Sequence, residues 1–171
     1  MDPDTGLIPL TTSKGRALNK KNLSESDLCD KFIRPAMEQA GWNALDQIYR
    51  EYPLRAGRVV VRGSKAQRDK STVLFADYAL FFKANIPLAV VEAKDNQHAV
   101  GAGMAQAINY AQLLDVPFSF SSNGDGFVFR DATLTSGVLE QNLTLDEFCR
   151  AVEPLLRLER LEPCSAPGRR I

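Results

Sequence analysis

Apolar side chains change their spacing several times along this chain, and each change marks an element. Leu28, Cys29, Phe32, Ile33, Ala36 and Met37 recur every three or four residues, the period of a helix with one buried face. Ser24 precedes this run and Asp27 follows three residues later. That pairing of a hydroxyl with an acid caps a helix starting at Leu23 or Ser24. Gly41 ends the helix, and Pro35 bends or divides it. Strand patterns follow at residues 43–55, at 58–62 (RVVVR), at 72–82 (TVLFADYALFF) and at 87–94 (PLAVVEAK). The last of these is almost continuously apolar at its start, as in a strand covered on both faces. Between them, residues 63–71 (GSKAQRDKS) read as a polar, basic loop.

Residues 100–114 return to helical spacing through Val100, Met104, Ala107, Ile108, Ala111 and Leu114. A strand at 116–121 follows, so strand, helix and strand suggest a right-handed crossover. SNGDG (122–126) is a turn before a short strand at 127–130. A last helix is expected over 145–161, capped by Thr144 and Glu147, with Phe148, Val152, Leu155 and Leu156 inward. Residues 1–22 lack apolar periodicity and are expected to be a flexible arm. Residues 162–171 (EPCSAPGRRI) read as a linker leading into a longer protein. This leaves 23–161 as one α/β domain with a central mixed sheet flanked by helices.

Composition narrows the class. The chain has 171 residues, 44% hydrophobic and 25% charged, with a formal net charge of zero. That suits one soluble domain and argues mildly against a stand-alone nucleic-acid binder, which is often basic. A metal-dependent enzyme is still allowed, because an ion adds positive charge that a residue count omits. Cys29, Cys149 and Cys164 are too few and too scattered for a disulfide framework or a zinc knuckle. No apolar stretch reaches 18 residues and no signal-peptide pattern opens the chain, so the expected setting is cytoplasmic, without a membrane.

Three residues carry the candidate chemistry. Asp77 interrupts an apolar strand and shares a face with Val73, Phe75, Ala79 and Phe81. A carboxylate there needs a partner; the partner is either a local cap or ion pair, or a metal. Glu92 and Lys94 emerge on one face where the next apolar strand ends. By itself E-x-K is a weak signal, equally an ion pair at a strand end. Two neighbouring strands can nevertheless bring Asp77 and Glu92 to one divalent ion, and carboxylate oxygens suit Mg2+. Lys94 beside it can orient the attacking water and stabilise developing charge.

At this point the sequence resembles the PD-(D/E)xK nucleases. Asp77 takes the place of the first acid, and Glu92-Ala93-Lys94 that of the second acid and lysine; Ala76 stands where the motif has proline. More closely, residues 22–131 resemble the N-terminal nuclease region of the restriction (R) subunit of type I restriction–modification enzymes. The likeness is carried by LSESDLCDKFIRPAMEQAGW, GRVVVRGSKAQRDKS and ADYALFFKANIPLAVVEAKDNQHAVGAGMAQAINYAQLLDVPFSFSSNGDGFVF. It implies a restriction-endonuclease-like fold and Mg2+-dependent cleavage of double-stranded DNA. It also implies motor domains beyond this chain that bind ATP and translocate DNA, with methylation and specificity subunits as partners. The family's Q-x-x-x-Y element matches Gln106 and Tyr110, one helical turn apart, with an implied role in positioning phosphate and supporting the lysine. The family's first-helix acid matches Glu25, implying a contribution to the metal through water. A free-standing repair or mobile-element nuclease, and a non-catalytic DNA-binding or docking module of the same fold, are the alternatives.

Less is asked of the remaining features. Arg62, Lys65, Arg68 and Lys70 are either phosphate contacts or a solvated surface. Gly101 and Gly103 ease helix–sheet packing, and Asn96 and Gln97 follow the lysine toward the cleft rim. His98, the one histidine, is expected to have no catalytic role. No phosphate-binding loop of an ATPase occurs in the chain.

Overall fold

Ser24 caps the first helix as its sequence requires. Its hydroxyl accepts the Asp27 N–H at 3.1 Å, and the Asp27 carboxylate accepts the Ser24 N–H at 3.2 Å. Those bonds, with Lys31, hold the Asp27 carboxyl down at about 2. The computed structural model describes residues 19–55, 58–62, 65–69 and 73–148. The start of the expected arm, most of the expected last helix and the expected linker at 162–171 lie outside the described residues.

The first helix is divided, as Pro35 demands. Helix α1 (Glu25–Leu28) passes through one π-helical turn, Cys29–Ile33, into α2 (Arg34–Gln39). In that turn the Arg34 N–H bonds to the Cys29 carbonyl, five residues back. Pro35 has no N–H and its ring crowds the carbonyl four residues back, so the turn widens there instead of continuing as a regular helix. Gly41 ends the unit at φ +95°, where a side chain would be strained. Before α1, Lys20–Asn22 form a 3-10 turn, so the end of the expected arm is structured.

Six strands form a mixed sheet in the order β1-β4-β5-β6-β7-β8: β1 (Ile48–Arg55), β4 (Leu74–Lys83), β5 (Ile86–Ala93), β6 (Phe118–Ser122), β7 (Gly126–Asp131) and β8 (Glu140–Thr144). Only β5 and β6 are parallel, and α3 (Met104–Leu114) connects them. Two short strands, β2 (Arg58–Arg62) and β3 (Lys65–Asp69), make a separate antiparallel hairpin.

The structure corrects the sequence reading in several places. The expected basic loop at 63–71 contains β3, which has few good strand formers and takes its conformation from pairing with β2. The strand expected from residue 43 begins at Ile48. Asn43 instead folds a turn, accepting the Leu45 N–H on its side chain at 2.8 Å. Helix α3 begins at Met104 because Gly101 and Gly103 precede it in non-helical turns. Strand β8 (EQNLT) lies where the sequence pattern predicts no strand, because it is an edge strand with little burial and no alternation. Thr144 and Glu147 do form their capping box, onto a 3-10 turn, Leu145–Glu147.

Alternation along β5 sorts the core into two layers. Ala89, Val91 and Ala93 pack with Ile33, Met37 and Trp42 from the α1–α2 side and with Phe118, Phe120, Phe127, Phe129 and Phe148. Val90 faces the other way and packs with Ala76, Ala111 and Val116, flanked by Leu54, Tyr110 and Leu114. Glu92, two residues on from Val90, therefore lies on the α3 side. Among the described residues no helix is long and apolar enough to cross a membrane.

Candidate active site

Strands β4 and β5 pair as far as Tyr78 opposite Val91. The next pair would be Asp77 and Glu92, and there the ladder stops. Beyond it β4 stays with β1, down to Leu74, while β5 stays with β6, out to Ala93. The sheet thus forks at the two acids. Backbone donors released at the fork are taken up by their side chains. Glu92 Oε1 accepts the Asp77 N–H at 3.2 Å, and Asp77 Oδ2 accepts the Ala93 N–H at 2.8 Å. Each carboxylate is held by the opposite strand, so both are fixed facing one gap.

Strand β4 is also irregular here. Ala76 packs on the α3 side and Tyr78 on the α1–α2 side, although a regular strand would put both on one face. Across from Asp77, Glu51 of β1 has φ +49°, a conformation that costs a non-glycine residue energy. Nothing in a single sequence marks Glu51 as special. Its strain follows from the pairing of β1 with a distorted β4.

Glu92 is 1% exposed. Burial, and then the negative charge of Asp77, push its carboxyl up to about 8. Lys94 pulls the other way but does not offset burial. Two carboxyl groups at one gap, one of them dry and short of positive charge, are the donor chemistry that a hard divalent cation satisfies. The residues present therefore fit a metal ion bound through Asp77 and Glu92. They do not assemble a third acid: among the described residues no group of three His, Cys, Asp or Glu side chains gathers as a metal site. Glu25 is close by in another way, with its Oε1 4.0 Å from Lys94 Nζ. This pair is half exposed, so its energy is small, but it links α1 to the strand carrying Glu92.

Helix α3 begins directly against Glu92. A Cβ on Gly103 would stand 3.0 Å from Ser121 Oγ and 3.3 Å from Glu92 Cβ, so glycine allows this approach. Ser121 completes the junction, accepting the Gly103 N–H and donating to the Val100 carbonyl. Gln106 and Tyr110 lie together on α3, with Gln106 Nε2 donating to Tyr110 Oη at 3.2 Å. Tyr110 packs in the same layer as Ala76, one residue before Asp77.

A second polar cluster borders Lys94. The Lys94 N–H donates to the Ser122 carbonyl, Asn96 Nδ2 to the Asn123 carbonyl and Asp125, and Asn123 Nδ2 to the His98 carbonyl. Lys20 Nζ closes it on the Gly124 carbonyl and Asp125. Asn96 thus braces the loop after Lys94 and does not simply line the rim. Lys20 and Asp125 are 105 residues apart in sequence, which is why no local pattern announced them. His98 pairs with Asp95 at 2.8 Å.

On the far side of β4, the Tyr78 phenol is buried. Its polar neighbour is the Cys29 thiol, a contact too weak to count as a hydrogen bond. Burial and then the Asp77 charge push the Cys29 thiol up to about 12. Alkylation of Cys29 near pH 8 is expected to be on the order of 10³-fold slower than that of an exposed thiol, from the smaller thiolate fraction alone. Peptide mass spectrometry after timed labelling resolves Cys29 from Cys149 and Cys164. Rapid labelling of Cys29 in the native chain would contradict its placement.

A mixed sheet with helices on both faces and an acid pair at a forked strand end defines an α/β domain of restriction-endonuclease-like fold. No protein-family model matches the chain. It is 54% identical over 132 residues, 77% of its length, to the type I restriction enzyme EcoAI endonuclease subunit of Escherichia coli. Its structure matches a fragment assigned as the HsdR subunit of a type I restriction enzyme from Vibrio vulnificus YJ016, with a TM-score of 0.60 and 38% identity over 76% of this chain. The chain is homologous to the HsdR, or endonuclease, subunits of type I restriction enzymes. It spans 16% of the length of the Escherichia coli relative and 25% of the Vibrio chain.

Proposed function

We propose that this domain hydrolyses phosphodiester bonds of double-stranded DNA with a divalent metal, as the cleavage module of an HsdR-type subunit. The observation that carries this reading is the fork at which Asp77 and Glu92 face one gap with Lys94 two residues further on. Mg2+ bound there would act as a Lewis acid on the scissile phosphate and as a source of activated water. Asp77 and Glu92 would hold the ion. Lys94 orients the attacking water and stabilises charge developing on the phosphate. Glu25, beside the Lys94 ammonium, would contribute to the ion's surroundings through water. Gln106 and Tyr110, bonded to one another on α3, position the DNA backbone. In the whole enzyme, ATP hydrolysis and translocation belong to motor domains outside this chain, and methylation and specificity subunits select the site.

Metal binding tests the reading directly. Calorimetric titration of the chain with Mn2+ or Mg2+ is expected to show binding in the millimolar range or tighter, abolished by Asp77→Asn. The same substitution keeps an acceptor for the Ala93 N–H and removes a like charge beside Glu92. The metal-free Asp77→Asn chain is therefore expected to unfold at an equal or higher temperature than the parent. Absence of metal binding at millimolar concentration, with the chain folded, would sink the proposal.

A further inference from the structure

Beyond the Tyr78–Val91 pair, the two branches of the forked sheet share no ladder pairing among the described residues. Two carboxylate bonds span the gap at the acids. Helix α1 packs over this region, and a charged side chain ties it to each branch. On the Asp77 branch the foot is Arg50 of β1, which stands opposite Tyr78 in the β1–β4 ladder. Its guanidinium donates from Nη1 to the Asp30 carboxylate and from Nη2 to Ser26 Oγ at 2.6 Å. Ser26 adjoins Glu25, the residue of α1 that faces Lys94.

On the Glu92 branch the foot is the β6–β7 turn, just past Ser122, which pairs with Ala93. Lys20, in the turn that leads into α1, donates to the Gly124 carbonyl at 2.8 Å and to Asp125 Oδ1 at 2.9 Å. Its Nζ also lies 4.3 Å from the centre of the Phe32 ring. Gly124 has φ +83°, and a Cβ there would stand 3.0 Å from Leu28 Cδ2, so the turn seats directly on the helix. Asn96 donates to Asp125 Oδ2 at 2.8 Å, which extends this foot to the loop after Lys94. Apolar packing is non-directional and by itself leaves the helix free to shift over the sheet. The two charged ties fix where it sits. Both are part exposed, so each adds little to global stability. Their consequence is local.

We infer that α1 is a brace across the forked sheet, with Arg50 and Lys20 as positioning residues that fix the separation of Asp77 and Glu92. The brace rests on these contacts; its consequence for a metal ion rests on the proposed function. A rigid pair of carboxylates suits a small ion such as Mg2+ or Mn2+, whereas Ca2+ accepts longer and more variable bonds. Loosening the fork therefore costs the smaller ions more.

Native-state amide exchange, followed by NMR on the full 171-residue chain in EDTA, tests the brace without metal or DNA. The Asp77 and Ala93 N–H groups bond across the fork. The Lys94 N–H bonds within one branch, to the Ser122 carbonyl, and the Phe81 N–H within the other, to the Gln47 carbonyl. Opening of the fork exposes the first pair of amides and spares the second. Lys20→Met/Arg50→Met is expected to speed exchange at Asp77 and Ala93 roughly tenfold, about threefold for each tie. Exchange at Lys94 and Phe81 is expected to stay within about twofold of the parent. Lys20→Arg/Arg50→Lys is expected to keep the parent's protection throughout. With metal restored, the double methionine variant is expected to bind Mn2+ roughly tenfold more weakly and to discriminate less between Mn2+ and Ca2+. Unchanged exchange at Asp77 and Ala93, or equal acceleration at Lys94 and Phe81, would overturn the brace. Absence of Mn2+ binding by the parent, with the expected exchange pattern intact, would instead overturn the metal reading.

Discussion

Lys94→Ala in a full-length HsdR-type subunit carrying this domain is expected to reduce DNA cleavage on the order of 10²–10³-fold or more, while ATP-driven translocation continues. The loss is large because the ammonium is the group that stabilises charge developing in the transition state. Glu92 is buried beside Asp77, and Lys94 is the basic group that acts on it. Glu25 Oε1 lies 4.0 Å from Lys94 Nζ on the side of α1, a half-exposed pair whose loss costs the fold little. The backbone is not at risk. The Lys94 N–H bond to the Ser122 carbonyl is a main-chain bond and survives the substitution. Cleavage of plasmid DNA and a triplex-displacement assay of translocation, run on the same preparation, separate the outcomes. Cleavage at the parental rate would remove Lys94 from the mechanism. Loss of both activities would place its effect on folding or assembly.

Phe120→Ala should have the largest effect on stability. Phe120 is fully buried, with ring centroids 4.8 Å from both Phe129 and Phe148 and 6.2 Å from Phe127. It therefore joins β6, β7 and the segment after β8. Removing such a ring costs about 3–5 kcal/mol, or roughly 6–20 °C in melting temperature for a domain of this size. Thermal unfolding followed by circular dichroism measures it. A shift below about 2 °C would mean that Phe120 is not at the centre of this layer. Phe120 sits one residue before Ser121, which anchors the start of α3 beside Glu92. The aromatic layer consequently supports the site as well as the fold.

Much of the site was legible because its residues break local patterns. An aspartate in TVLFADYALFF and a glutamate and lysine closing PLAVVEAK are conspicuous against apolar strands. Their chemistry was still ambiguous between ion pairing and metal binding. The likeness to restriction subunits favours a nuclease, and it implies roles for Glu25, Gln106 and Tyr110. Glu51 and Asn96 could not be weighted in the same way. Their importance comes from what lies opposite them in space.

Sequence alone determined the elements whose cause is local. The Ser24–Asp27 and Thr144–Glu147 caps, the break at Pro35, the end at Gly41 and the apolar strands β4 and β5 all follow from side chains within a few residues of each other. Tertiary structure decided whatever depends on a distant partner. Strand β3 exists because β2 pairs with it, and β8 because β7 does. Lys20 finds Asp125 across most of the domain. The fork itself is of this kind, since it arises only because β4 follows β1 and β5 follows β6 away from each other. Burial at that fork is what turns two ordinary acids into a pair suited to a cation, with Glu92 held near 8 by its surroundings and not by its neighbours in sequence.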